Sequence, residues 1–276
     1  MEISGRVRDI MSEVEKHYDR NPENEWQRLE RHRIEFDITK RYLGEYIKNT
    51  SKILDVGGGP GRYSIHLARQ RHEVTLLDLS SGNIHLAREK ARDANVNIRD
   101  YIHANALELS EKVVGEFDVV LCMGPLYHLI EVRDRIKVID ECIKKLKKGG
   151  LFFAAFISAF APIIDFIKNY PEEIINFKPN LLKYLEDGRN IVSEENPGFT
   201  DAYFIKPDEI EDFMDNFDLE KKIITGLEGL PAQSEAKINS LSEEAYQGWL
   251  DLVYQTSRNP LTWASSEHFL YIGKKK

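Results

Sequence analysis

Apolar and polar positions along the chain fall into two alternating rhythms. Residues 52–56 form a short apolar run that ends in glycines, and helical spacing follows over residues 62–70. Residues 74–78 make the next apolar run, followed by a helical stretch over residues 83–93. Residues 97–102 and 117–122 read as third and fourth strands. Val132, Ile136, Ile139, Ile143 and Leu146 then recur at steps of three and four. That is one face of a long amphipathic helix, which Gly149-Gly150 should end. Residues 151–157 are apolar throughout, as a strand covered on both faces should be. Strands alternating with helices predict an α/β fold, a doubly wound and mostly parallel sheet with right-handed crossovers.

Three segments break the alternation. Residues 1–50 read as helices with a polar break at Asn21-Pro22-Glu23-Asn24. Residues 159–200 carry Pro162, Pro171, Pro179, Gly188 and Pro197, which predicts short helices and loops. Residues 231–264 hold a helix near 240–257, before a last strand at 268–272. None has enough apolar residues for a core of its own. The expected organisation is therefore an N-terminal helical cap (1–50), an α/β core (51–158 and 201–276), a lid insertion (159–200) and a helical insertion within the core (231–264).

Composition narrows the partners. The net charge of −8 disfavours nucleic acid, which is bound through Lys and Arg clusters. The basic run Lys144-Lys145-Leu146-Lys147-Lys148 sits where a helix should end, and cations there suit its dipole. Cys122 and Cys142 are the two cysteines, without metal-ligand spacing, so the reading is a reduced, cytoplasmic protein with no metal. The stretch 1–19 is charged throughout, unlike a secretory signal. Residues 151–164, the longest apolar stretch, fall short of the roughly 20 a membrane helix needs, and no membrane partner is expected.

The most informative segment is Ile53-Leu54-Asp55-Val56-Gly57-Gly58-Gly59-Pro60-Gly61, a strand running into a loop that opens a helix. Glycines there permit a tight turn and a close ligand approach, and the helix N-terminus offers free N–H groups. Dinucleotide binders space their glycines as G-x-G-x-x-G. Here Asp55, Gly57, Gly59 and Gly61 give D-x-G-x-G-x-G, with an acid inside the strand end. That acid would repel a pyrophosphate but pair with an amino group. The pattern resembles the class I S-adenosylmethionine-dependent methyltransferases.

The resemblance continues past the loop. Val74-Thr75-Leu76-Leu77-Asp78-Leu79-Ser80 is similar to the family's second strand, which implies that Asp78 accepts from both ribose hydroxyls and that Leu79 lies beside it. Ala104-Asn105-Ala106 occupies the place of the family's Asp plus small residue, implying adenine contacts from Asn105 and the Ala106 amide. Residues 117–122, ending at Cys122, complete the cofactor site that the resemblance implies. His268-Phe269-Leu270-Tyr271-Ile272-Gly273 resembles the family's antiparallel last strand, which implies a seven-stranded Rossmann-like sheet. Met123-Gly124-Pro125-Leu126-Tyr127-His128-Leu129 and Ser265-Ser266-Glu267-His268 resemble a bacterial branch of that superfamily with largely unassigned substrates.

Methyl transfer from a sulfonium is a one-step displacement, so the protein mainly aligns the reactants, and a base is needed only for a nucleophile that must lose a proton early. In an open α/β sheet the ligand lies beyond the carboxyl ends of the strands, beside the loop 123–128. Tyr127 and His128 are the nearest polar candidates for catalysis; a lid contact for Tyr127 and a helix cap for His128 are the structural alternatives. Tyr18, Trp26 and Arg31 of the cap and Tyr184 of the lid are candidate substrate contacts, with Phe177, Arg189 and Phe199 as further lid residues. Docking of the cap on the core fits the same amphipathic mix. The loop lacks the Asp/Asn-Pro-Pro-Tyr and Pro-Cys arrangements of enzymes acting on bases or protein amides. The expected activity is methyl transfer to a nitrogen or oxygen of a small molecule. A silent S-adenosylmethionine-binding regulator and a nicotinamide-dependent oxidoreductase are the competing readings.

Overall fold

The computed structural model describes residues 13–193 and 200–276, so Phe199 and Pro197 lie outside the described residues, as does most of the charged stretch 1–19. The central sheet uses strands β1 (Lys52–Val56), β2 (Glu73–Asp78), β3 (Asp100–His103), β4 (Phe117–Cys122) and β5 (Leu146–Ser158). Two short strands, β6 (Arg189–Asn190) and β7 (Ala202–Ile205), precede β8 (Leu219–Gly226) and β9 (His268–Lys275). The order is β3-β2-β1-β4-β5-β9-β8. β1 to β5 run parallel, while β9 is antiparallel to both β5 and β8. This is the mostly parallel doubly wound sheet with an antiparallel last strand that the sequence predicts.

Period-two alternation distributes each inner strand over two cores. Leu54, Val56, Val120 and Cys122 belong to one cluster, while Ile53, Val119 and Leu121 belong to the other. Successive side chains of a strand point to opposite faces, and both faces here are covered by helices. Strand ends therefore meet loops at one edge of the sheet, and the site assembles there.

Four boundaries differ from the sequence reading. The helix Val132–Lys145 ends before Gly149-Gly150, because Leu146 is already extended and pairs with Phe117 at the start of β5. The glycines instead lie within β5, at the irregularity where its pairing with β4 shifts register between Phe117–Leu146 and Val119–Leu151: Gly149 has φ +76°, and a Cβ on Gly150 would lie 2.9 Å from the Lys147 carbonyl oxygen. β3 begins at Asp100 rather than at 97, after a turn that puts Asn95 at φ +53°. The polar break at 21–24 narrows to Asn21, whose side chain accepts from the Asn24 amide and caps the helix Pro22–Arg31 with Pro22 in its first turn. A second break at His32 separates that helix from Arg33–Tyr46.

The insertion after β5 is more regular than its prolines predict. It folds as helices Ala161–Asn169 and Ile174–Asp187, and Gly188 at φ +70° stops the second. β7 then pairs with the far end of β5, through Ile157–Phe204 and Ser158–Ile205, on the side that β4 has left. The later helix Glu243–Thr256, capped by Ser242, packs on Arg33–Tyr46 through Tyr246–Asp37, Arg33–Glu243 and Arg41–Asp251 contacts.

Candidate active site

The loops after β1 and β4 touch backbone to backbone. A Cβ on Gly57 (φ +70°) would fall 2.6 Å from Pro125 Cδ, and one on Gly124 would fall 2.6 Å from the Gly57 carbonyl oxygen. Gly59, at φ +56°, donates its amide to Asp78 Oδ2 at 2.7 Å. Asp78 Oδ1 accepts from the Ser80 amide at 2.9 Å and from Asn83 Nδ2 at 3.2 Å. Burial raises the Asp78 pKa, partly offset by these donors. Asn83 Oδ1 is buried beside it with no hydrogen-bond partner among the described residues. An orphaned acceptor next to a carboxylate suits a ligand that brings hydroxyl donors, as a ribose does.

The cleft continues along Leu79, Asn105 and Ala106. The Asn105 side-chain oxygen accepts from the Leu107 amide at 2.9 Å, so it also caps the turn that follows. Gly61 and Cys122 stand elsewhere than the sequence placed them. Gly61 opens the helix Arg62–Arg69, and a Cβ there would meet Leu76 and Ala87 at 3.2 and 3.3 Å, so it serves helix-to-sheet packing. Cys122 is fully buried in the core beside Cys142, because the β4 alternation turns its side chain away from the cleft.

At the other end of the cleft, Asp55 faces a small cavity with Glu25, Arg28 and Gly57 to Gly59. Its Oδ2 accepts from Ser64 Oγ at 2.7 Å, and burial, with Asp78 adding to it, raises its pKa to about 6. Arg28 reaches Glu25 at 3.0 Å and grips Glu35 with both terminal nitrogens, at 2.8 and 3.2 Å. Carboxylates and a guanidinium together suit an amino-acid terminus, with its ammonium and carboxylate. Residues around this cleft thus fit S-adenosylmethionine: Asp78 and Asn83 for the ribose, Asn105 and Ala106 for the base, and Asp55, Glu25 and Arg28 for the methionine end.

Sequence reasoning missed Glu25 and Arg28, although their spacing was a signal. One turn apart, they share the inner face of Pro22–Arg31 with the buried Leu29. Trp26 is rotated about 100° from Glu25 on that helix and packs under Arg62, at 4.3 Å from ring centre to guanidinium. Arg31 is exposed and donates to Asn24 Oδ1 at 3.0 Å. Helix phase therefore turns both away from the cleft, and neither lines it, the cavity at Asp55 or the chamber beyond.

The helical residues 13–20 roof the cleft with Val14, Glu15 and Tyr18. Asp19 accepts from Ser80 Oγ at 2.5 Å and from the Gly82 amide at 2.8 Å, which pins this helix to the N-terminus of Ser81–Asp93. The Tyr18 hydroxyl meets His128 Nε2 at 2.9 Å, and Thr200 Oγ1 meets His128 Nδ1 at 3.1 Å. Burial lowers the His128 pKa to about 4, so the ring is neutral near pH 7. With a partner on each nitrogen, His128 joins the roof to the segment before β7.

A chamber of 620 Å³ lies beyond, walled by Ile157 of β5, Phe166 and Phe177 of the insertion, Tyr184 and Phe204. The Tyr184 hydroxyl donates to Asn190 Oδ1 at 2.8 Å, leaving its ring as wall. Tyr127 borders the cleft, the cavity at Asp55 and this chamber at once. Burial raises the Tyr127 pKa, so its O–H stays protonated and donates to the Met123 carbonyl at 3.3 Å. On the opposite wall stand Arg28, Glu267 and His268. His268 Nδ1 lies 2.6 Å from Glu228 Oε1 and 3.6 Å from Glu35 Oε2, and Glu267 pairs with Lys168. Arg189 sits outside, paired with Glu131 at 2.6 Å.

Comparison with known proteins agrees with this geometry. Residues 53–150 match the family described as a methyltransferase domain. The chain is 29% identical over 187 residues to the ubiquinone biosynthesis O-methyltransferase of Erwinia tasmaniensis, covering 68% of this chain and 69% of that protein. It is 28% identical over 198 residues to the protein of that name from Xanthomonas oryzae, covering 71% and 74%. Among solved structures, a SAM-dependent methyltransferase from Methanosarcina mazei superposes with a TM-score of 0.55 at 19% identity, over 85% of this chain and 96% of that one. Magnesium protoporphyrin IX methyltransferase from Synechocystis, with bound S-adenosylhomocysteine, gives 0.56 at 12% identity, over 96% and 99%. At those identities the structures speak for the fold. Among the described residues no helix is long and apolar enough to cross a membrane.

Proposed function

The chain is a class I S-adenosylmethionine-dependent methyltransferase, and from that premise we propose that it methylates a hydroxyl oxygen of a small molecule with an aromatic or apolar body. One observation carries the reading: the aromatic-walled chamber of 620 Å³ meets the cofactor cleft at Tyr127. Bound S-adenosylmethionine supplies an electrophilic methyl group on a sulfonium. Asp78, Asn83, Asp55 and Arg28 hold it, while Phe166, Phe177, Tyr184 and Phe204 exclude water from the acceptor and orient its ring. Burying such a ring against them contributes roughly 25 cal/mol per Å² of apolar area. The names of the relatives, O-methyltransferases, favour oxygen over nitrogen.

Transfer of radiolabelled methyl from S-adenosylmethionine to panels of phenols, aliphatic alcohols and amines tests the proposal. Phenols should be labelled first, and Phe166→Ala should raise KM more than it lowers kcat. Labelling of amines alone would refute oxygen transfer. Binding of S-adenosylmethionine without turnover on any panel would favour a regulatory protein.

A further inference from the structure

The motif Ser265-Ser266-Glu267-His268 has no part in holding the cofactor, yet the fold invests in it. Ser266 Oγ accepts from the Gly229 amide at 3.0 Å, and a Cβ on Gly226 would fall 2.2 Å from that same oxygen. The turn after β8 is thereby pressed onto the start of β9, and it carries Glu228. That carboxylate is fully buried. Its Oε2 accepts the Glu267 and His268 amides at 3.1 and 3.0 Å, and its Oε1 lies 2.6 Å from His268 Nδ1. Among the described residues no hydrogen bond reaches His268 Nε2, although the ring borders the chamber. A histidine locked through Nδ1 by a buried acid presents Nε2 in the tautomer that takes a proton.

We propose that His268, oriented by Glu228, is the base that removes the proton from the substrate's hydroxyl, which makes the acceptor a phenol rather than an amine. The inference rests on the oxygen-transfer reading above and deepens it. In the step, the hydroxyl proton passes to Nε2 and the oxygen lone pair forms the new bond to the methyl carbon. The carbon–sulfur bond breaks with its pair remaining on sulfur, and the imidazolium returns its proton to solvent.

The charges around the ring support this chemistry. Burial alone would lower the His268 pKa, but Glu35 and Glu228 together raise it to about 9. A phenol ordinarily titrates near about 10, so donor and acceptor are closely matched. Several of the packed elements contribute charge here, while β5, β7 and the helix Ile174–Asp187 contribute Ile157, Phe204, Phe177 and Tyr184. Arg28 and Glu35 come from the cap helices, and His32, which pairs with Glu235, from the break between them; Glu228 follows β8, and Glu267 immediately precedes β9. Lys168 and Asp165 lie on the helix Ala161–Asn169, and Glu173 follows it. Arg28 holds Glu35 and Lys168 holds Glu267, so Glu228 is the acid whose partner is the imidazole.

The test uses the full chain with S-adenosylhomocysteine bound. Nitrogen-15 spectra of labelled histidine should show one ring with the neutral proton on Nδ1 and a pKa near 9, and Glu228→Gln should return that pKa toward 6.5. Adding 4-nitrophenol should give a bound phenolate spectrum in the wild type and not in His268→Gln. With a phenolic substrate, His268→Gln should lower kcat by about 10²- to 10⁴-fold, leaving S-adenosylhomocysteine affinity near wild type while lowering the melting temperature below pH 9, where Glu228 loses its charged partner. Wild-type kcat should rise with pH up to about 9 and then level, a limb the variant loses. A proton on Nε2 in the neutral ring, or an equally ionised probe in His268→Gln, would overturn the dyad while oxygen transfer stands. Inhibition by a chelator would likewise overturn it, as metal chemistry at the cluster. Failure of every phenol to bind or be methylated would instead sink the oxygen-transfer reading, and the dyad with it.

Discussion

Tyr18 and His128 are 110 residues apart in the chain, and their side chains meet at 2.9 Å across the mouth of the cofactor cleft. One hydrogen bond therefore ties the roof helix to the loop after β4. A bond of this kind contributes about 0.5–1.5 kcal/mol, so Tyr18→Phe should weaken S-adenosylhomocysteine binding by about 2- to 10-fold. Calorimetry measures that loss. Hydrogen exchange should show residues 13–20 opening faster in the variant and slowing in the wild type on cofactor binding. Identical exchange in all three states would make the roof a fixed scaffold.

Asp78 is buried, and three donors converge on it, from Gly59, Ser80 and Asn83. Its removal thus does two things that an acid at an exposed strand end would not. Asp78→Ala should cut S-adenosylhomocysteine affinity by at least about 10- to 100-fold, and it should lower the melting temperature because three donors lose their acceptor. Unchanged affinity in the folded variant would show that the acid only organises the loop.

The charge cluster has a pH signature with a definite sign. His268 is raised from 6.5 to about 9 on folding, so its contribution is complete below 6.5 and fades as pH climbs through 9. Burial would raise Glu35, but Arg28 and His268 hold it at about 2, so its contribution is complete above 4.5 and fades as pH falls toward 2. Burial depresses His128 from 6.5 to about 4, and that ring contributes stability above 6.5 that is lost as pH falls through 4. The melting temperature should therefore decline on the alkaline side between 6.5 and 9, and His268→Gln should flatten that limb, with a smaller change on the acid side, where Glu35 loses one of the cations that hold it down. A decline of the same size in the variant would mean that other groups drive it.

These relationships differ in how much of them could be read before folding. The glycine loop, the strand ends and the Asp78 position are local in sequence, and period-two and 3.6-residue patterns expose them. Tyr18 was readable as a candidate, but its contact with His128 depends on how the cap docks. Glu35 and Glu228 carry no local pattern, and the motif that contains His268 does not name its partners; β8 and β9 bring Glu228 and His268 together, and a separate helix supplies Glu35. Trp26 shows the opposite failure, an aromatic that looked like a ligand wall until helix phase turned it toward Arg62.

Tyr127 offers the sharpest division between alignment and proton transfer, because it alone borders the cleft, the cavity at Asp55 and the chamber among the described residues. Its ring fills the junction, while its hydroxyl is spent on the Met123 carbonyl. Tyr127→Phe should keep the ring in place and cost less than about 10-fold in kcat, the scale of one neutral hydrogen bond. Tyr127→Ala should open the junction and cost about 10²-fold or more, since misplacing the reactants by an ångström is enough for that. Product formation measured on both variants, beside S-adenosylhomocysteine affinity, separates the contributions. If Tyr127→Phe loses as much kcat as His268→Gln, the phenolic hydroxyl itself lies on the proton's route. If only Tyr127→Ala loses it, the residue is a spacer that sets where acceptor and methyl meet.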